Sequence, residues 1–177
     1  MSQRQASTRR VSRGNAIVSS SHLVSPRSRE LSELEFGLIV AWNAFSRWAV
    51  RCMAAAGCPD LTITDVLLLQ HVQHRARNKK LADICFVLNY EDTHVVAYSL
   101  KKLMAAGLVQ AEKQGKEVSY SPTPHGEGFV QKYRGVRESC LVKNLDTELN
   151  ADIGELARLL RTMSGLYDQA ARSATAM

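Results

Sequence analysis

Proline and glycine are scarce in this chain, four and ten among 177 residues, and they gather at a few points of punctuation. With so few breakers, most of the chain is free to be helical. No apolar run reaches the roughly 18 residues that a membrane helix needs, so no span of that kind is expected. The four cysteines, Cys52, Cys58, Cys85 and Cys140, form no CxxC pair, and three of them fall inside apolar helical patterns. A disulfide framework is excluded on that spacing, and buried thiols in a reducing compartment are expected. The stretch from Met1 to Gly14 is polar and lacks the apolar centre of a secretory signal, which points to the cytoplasm. There is no nucleophile elbow and no Gly-rich phosphate loop, so neither an enzyme nor a cofactor is expected. His71 and His74 stand three apart on a helical stretch and could face one metal, but no cysteine or carboxylate accompanies them.

The hydrophobic share of 45% is enough for one core. The net charge of +6 is uneven. In residues 1–30, six arginines (Arg4, Arg9, Arg10, Arg13, Arg27 and Arg29) stand against Glu30 alone. In residues 31–177, 17 basic side chains face 16 acidic ones. Residues 1–30 therefore read as a flexible basic tail, and 31–177 as a single domain of nearly neutral charge.

From 31 to 56, Leu31, Leu34, Leu38, Ala41, Phe45, Trp48 and Cys52 recur at steps of three and four, which predicts one long helix stopped by Gly57 and Pro59. Trp42 widens its stripe. Thr62 or Thr64 can cap a second helix reaching about His74. The basic run from Arg75 to Lys80 reads as a loop or a helix start. A third helix over 80–88 turns Leu81, Ile84, Cys85 and Leu88 inward. Asp92 can cap a fourth, over 92–106, with Val96, Leu100 and Leu103 inward and Gly107 ending it in a left-handed conformation. Alternation then predicts a two-stranded hairpin, with Val109, Ala111, Val118 and Tyr120 on one face and a turn at Lys113–Lys116. Thr123-Pro124 marks another helix start, whose buried face would be Phe129, Tyr133, Val136 and Cys140. Asn144 or Asp146 can cap the last helix, where Leu149, Ile153, Leu156, Leu160, Met163 and Tyr167 form a coiled-coil-like seam.

The predicted fold class is mainly α with a small β-hairpin. Residues 62–121 read helix, short helix, tight turn, helix, hairpin. Two helices joined by a short turn can place the second in a DNA major groove. Its outward face would then read the duplex, through Thr93, His94, Ala97, Tyr98, Lys101 and Lys102. Lys80 beside the third helix and Lys113 and Lys116 at the hairpin tip complete the candidate DNA-binding set. Residues 75–116 hold eight basic side chains against four acidic ones, the local excess that phosphate neutralisation requires. Each feature alone is ordinarily a solvated face; their order is what points to DNA.

Specific residues carry a family resemblance over about 31–172. Leu61-Thr62-Ile63-Thr64 before an apolar helix, and Lys80-Leu81-Ala82-Asp83-Ile84, resemble the opening and the first helix-turn-helix element of the MarR winged helix. Val96, Leu100, Leu103 and then Ala106-Gly107-Leu108-Val109 resemble its second-helix passage. Thr123-Pro124-His125-Gly126 resembles the motif after its wing, with Pro122 in place of leucine. The resemblance implies a winged helix-turn-helix over 61–122 between dimerisation helices at 31–58 and 123–172. It also implies a homodimer on double-stranded DNA, and a small-molecule effector between helices and reading heads, where Trp42, Phe45 and Tyr133 could line a site. Two departures stand out. The wing, Glu112-Lys113-Gln114-Gly115-Lys116-Glu117, lacks the family's arginine, and Ala97 and Tyr98 replace its Thr/Ser and Arg. One branch of the family senses peroxide through cysteine; Cys52 beside Arg51, and Cys58, would be the candidates, although buried inert thiols fit the pattern better. The competing reading is a winged helix that binds protein rather than DNA, with His94 and Tyr98 as its anchors.

Overall fold

A computed structural model of the chain describes residues 27–74 and 78–177. Residues 1–26 of the basic tail, with Arg75 and Arg77 of the basic run, lie outside the described residues. The elements in order are α1 (Arg29–Ala55), α2 (Ile63–Gln73), β1 (Lys79–Lys80), α3 (Leu81–Leu88), α4 (Thr93–Ala105), β2 (Val109–Gln114), β3 (Glu117–Pro122), α5 (Pro124–Cys140), a 3-10 turn (Val142–Asn144) and α6 (Leu149–Thr175).

Most boundaries follow from local chemistry. Thr62 closes a capping box on α2: its hydroxyl accepts from the Asp65 amide, while the Asp65 carboxylate accepts from the Thr62 amide. Asp92 accepts from the His94 amide at 2.8 Å to start α4. Gly107 ends α4 with φ +67, and Asn89 turns the chain between α3 and α4 with φ 56. At the last helix the structure departs from expectation. Neither Asn144 nor Asp146 caps α6, whose first turn follows Glu148 without a side-chain cap. Asn144 instead closes the 3-10 turn and Asp146 accepts from the Glu148 amide.

The core gathers where α2, α3 and α4 meet the C-terminal half of α1. Met53, Leu68, Leu69, Ile84, Leu100 and Leu103 are all fully buried there. Truncating one such leucine to alanine costs about 2–5 kcal/mol. Tyr133 of α5 closes the cluster against Cys52, whose thiol donates to the Tyr133 carbonyl at 3.5 Å.

The stripe predicted for α1 splits in two. Cys52 is buried and Leu34, Leu38 and Trp48 are half-buried, but Leu31, Ala41, Trp42 and Phe45 are exposed in the single chain, as are Phe36, Ile39 and Val40, which the predicted stripe did not include. The α6 seam is uncovered over much of its length: Leu149, Ile153, Leu156 and Tyr167 are exposed and Leu160 and Met163 half-buried, Leu159 and Leu166 beside it are also exposed, and no residue of that helix is buried. The two helices touch where the Tyr167 hydroxyl donates to Glu35 at 3.3 Å. Cys140, expected inward on α5, is exposed near the mouth of a groove between α1 and α5.

The predicted hairpin forms, with Ala111 opposite Tyr120 and Gln114 opposite Glu117, but its turn is shorter than expected: Lys113 and Gln114 belong to β2, and Gly115-Lys116 make the turn, Gly115 with φ +63. What the sequence reading missed is a third strand. Lys79–Lys80 pairs antiparallel with Tyr120 and Ser119, giving the order β1-β3-β2. This strand anchors the base of the hairpin to the start of α3. Among the described residues no helix is long and apolar enough to cross a membrane.

Candidate nucleic-acid interface

Helix α4 has two sharply different faces. Val96, Ser99, Leu100 and Leu103 are buried, whereas Thr93, His94, Tyr98 and Lys101 are exposed, Tyr98 to 74%. His94, Tyr98 and Lys101 fall at i, i+4 and i+7 and form one stripe. Ala97 lies beside it, half-buried. A 13-residue helix of this kind, with phenol, imidazole and ammonium on its free side, has the dimensions and donors to enter a major groove.

Lys102 does not belong to that stripe. Its ammonium donates to the Asp65 carboxylate at 2.7 Å and to the Asp60 carbonyl at 2.8 Å. Expected on the outward face with Lys101, its charge is instead turned toward α2 and paired with a carboxylate that the sequence places 37 residues away. Burial alone would push the Asp65 carboxyl up, but hydrogen bonds from Lys102, Ser99 and Thr62 outweigh it and hold the group below the usual carboxylate range.

Lys80 is exposed but paired, its ammonium 2.6 Å from Glu117. Lys79 donates to the Val72 and His74 carbonyls, closing the end of α2. The local basic excess is therefore smaller than the count over 75–116 suggests. Asp65 and Glu117 lie outside that window, and each neutralises a lysine inside it. Lys101, Lys113 and Lys116 make no ion pair among the described residues.

The other candidates resolve as follows. Burial pushes the Cys52, Cys58 and Cys85 thiols up, away from the thiolate that oxidation needs. His71 is half-buried, and burial, helped by Lys79 and His74, pulls its imidazole down. Among the described residues no group of three His, Cys, Asp or Glu side chains could hold a metal ion. Trp42 and Phe45 make a tilted ring pair at 6.1 Å on the exposed half of α1, while Tyr133 lies in the core.

The junction after the wing explains one motif residue. Thr123 caps α5 through the Gly126 amide at 3.1 Å, and its hydroxyl donates to the Gly107 carbonyl at 2.6 Å. Gly126 packs directly on the backbone at the end of α4: a Cβ there would lie 2.1 Å from the Leu108 carbonyl oxygen. Only glycine fits so close an approach.

Residues 61–126, the span from the α2 cap to this junction, match the model of the winged helix DNA-binding domain family. No curated protein matches the sequence. Among solved structures, AbfR of Staphylococcus epidermidis superposes with TM-score 0.65 at 20% identity, covering 79% of this chain and 95% of that one. A MarR family transcriptional regulator from Rhodococcus sp. RHA1 gives TM-score 0.63 at 10% identity, covering 76% and 94%. The oxidized form of MarR from E. coli gives 0.56 at 17% identity, covering 72% and 93%. Architecture and domain match agree, and the chain is a winged helix protein with the MarR fold, its winged helix occupying residues 61–126.

Proposed function

We propose that this chain is a transcription regulator that reads double-stranded DNA as a homodimer, with α4 in the major groove. The observation that carries the reading is the free stripe of α4. Tyr98 is 74% exposed at the middle of a helix whose opposite face is fully buried, on a domain of DNA-binding type. Thr93, His94, Ala97, Tyr98 and Lys101 would meet base edges, and Lys113 and Lys116 of the wing would meet phosphates. Lys80 would reach the backbone only by leaving Glu117. Support for the dimer comes from the two uncovered apolar faces, on the N-terminal half of α1 and along α6. A second copy can cover both. Two reading heads related by a twofold axis would address half-sites about one helical turn apart.

Response to a small-molecule effector belongs to the same proposal. Ser46 on α1 and Gln73 on α2 each carry a buried polar atom without a hydrogen-bond partner, the kind of group that a polar ligand can satisfy. The test of the whole reading is an electrophoretic shift on duplex DNA from upstream of the chain's own gene, repeated at several salt concentrations. A discrete, salt-sensitive complex that survives excess scrambled duplex is expected. Equal competition by scrambled and upstream DNA would refute sequence reading. It would favour instead a protein partner for the exposed Tyr98 and His94.

A further inference from the structure

We propose that Asp65 is a positioning residue for the reading helix, a buried carboxylate on α2 that fixes the rotation of α4 through Ser99 and Lys102. The inference rests on the DNA reading above. Asp65 is only 2% exposed, yet it is ringed by donors. One oxygen, Oδ2, accepts from the Thr62 amide at 2.8 Å, the Thr62 hydroxyl at 2.8 Å and the Lys102 ammonium at 2.7 Å. The other, Oδ1, accepts from the Ser99 hydroxyl at 2.5 Å. A capping box alone would need only the Thr62 bonds, and such carboxylates usually face solvent. The bonds to α4 are therefore an addition that helix capping does not require.

Their placement suits orientation. Ser99 and Lys102 stand at i and i+3, on one side of α4. At about 100° per residue, that side lies roughly a quarter turn round from the stripe of His94, Tyr98 and Lys101. The remaining contacts of α4 are apolar, through Val96, Leu100 and Leu103, and burial of this kind is non-directional. Hydrogen bonds are directional. Two of them on one carboxylate, with the Lys102 ammonium also held by the Asp60 carbonyl, resist both sliding and rotation of the helix. An ion pair with its carboxylate buried contributes little net stability beyond an apolar pair of the same shape, because desolvation of the carboxylate offsets the attraction to the half-exposed ammonium. What it supplies here is a defined angle for Tyr98.

The test compares Lys102→Met, Asp65→Asn, the double variant and Lys102→Arg in the full chain. Two quantities are read for each: the affinity ratio between a duplex enriched by the wild-type protein from a randomised pool and a scrambled duplex, and the hydrogen exchange of the α4 amides without DNA. Lys102→Met should lower the ratio about tenfold or more and speed α4 exchange by a similar factor, and Lys102→Arg should restore both. The double variant leaves no unpaired charge and should recover thermal stability, but not the ratio. Recovery of the ratio together with stability would overturn the proposal, since the pair would then be only structural. So would unchanged α4 exchange in Lys102→Met. If the wild-type protein enriches no duplex, the DNA reading fails and positioning for DNA falls with it, while the exchange result still decides whether Asp65 holds α4.

Discussion

Gly126→Ala should destabilise the protein even though alanine is the better helix former. In an open helical position the exchange stabilises by roughly 0.5–1 kcal/mol, through the backbone freedom that glycine loses on folding. At Gly126 the new methyl would sit 2.1 Å from the Leu108 carbonyl oxygen and 3.0 Å from its carbon. Ordinary contact begins near 3.4 Å, so α5 must back away by about an ångström. The obstacle is backbone, not a side chain that can swing aside. Retreat would strain the Thr123 amide bond to the Leu108 carbonyl, now 3.0 Å, and the Thr123 hydroxyl bond to the Gly107 carbonyl. Overpacking of this kind costs about 1–3 kcal/mol, and each weakened bond about 0.5–1.5. Against the helix-propensity gain, a net loss of about 2–4 kcal/mol follows. At roughly 2–4 °C per kcal/mol for a chain of this size, Tm should fall by about 5–15 °C. Gly128→Ala, two residues along the same helix with nothing near its added methyl, is the control and should raise Tm slightly. Calorimetry of both variants decides the matter. If the two glycines respond alike, the close approach at Leu108 is not what requires Gly126.

Tyr98→Ala should leave Tm unchanged and cost about 1–3 kcal/mol in binding to a selected duplex, with scrambled DNA little affected; equal losses on both would assign Tyr98 to the phosphate backbone. Ile153→Glu on the uncovered face of α6 should convert a dimer at micromolar concentration into a monomer in light scattering. A monomeric parent would remove the basis for twofold recognition. Asp65 predicts the acid limb of stability. Its native pKa is depressed, so its contribution is complete above the unfolded value of about 3.9 and is lost as pH falls through the native one. Urea midpoints should fall modestly between pH 7 and 5, where the unfolded chain takes up the proton that half-buried His71 resists, and drop again below about 4, and Asp65→Asn should flatten part of that second drop. Deleting residues 1–26 should reduce the slope of log affinity against log salt by about two units if each arm of a dimer meets one phosphate; an identical slope would show that the arms do not touch DNA.

What the sequence disclosed was whatever local chemistry decides. Thr62, Asp92, Gly107 and Thr123-Pro124 each act within a few residues of themselves, and each marks an element boundary where it was expected. The inward positions of α3 and α4 follow the helical period and were equally legible. Strand β1 was not: two lysines carry no alternation, and their partners Tyr120 and Ser119 lie some forty positions on. The ion pair of Lys102 with Asp65 is hidden for the same reason. The apolar period of α1 reports that a face will be covered, not which chain covers it, so the stripe was legible and its split into a buried and an exposed half was not. Cys140 was misread, a residue on the helical period of α5 that falls just past the end of the core.

Lys101 and Lys102 are neighbours in sequence with opposite fates, and the difference bears on how this winged helix can discriminate among duplexes. A residue step of about 100° carries Lys101 to the free stripe and Lys102 toward α2. On the reading proposed above, the head would give up Lys102 to orientation, while Lys80 is held by Glu117 and the wing has no arginine. Among the described residues of the reading set that leaves Lys101, Lys113 and Lys116 for the non-specific phosphate attraction that ordinarily supplies most of the affinity that ignores sequence. Discrimination would then rest on directional contacts from Tyr98 and His94, if α4 enters the groove as proposed. Such contacts reward a helix held at one angle, because a bidentate or aromatic contact to a base edge is lost with a shift of an ångström or so. In the proposed interface, few free lysines on the described head and a clamped α4 would in this sense be complementary.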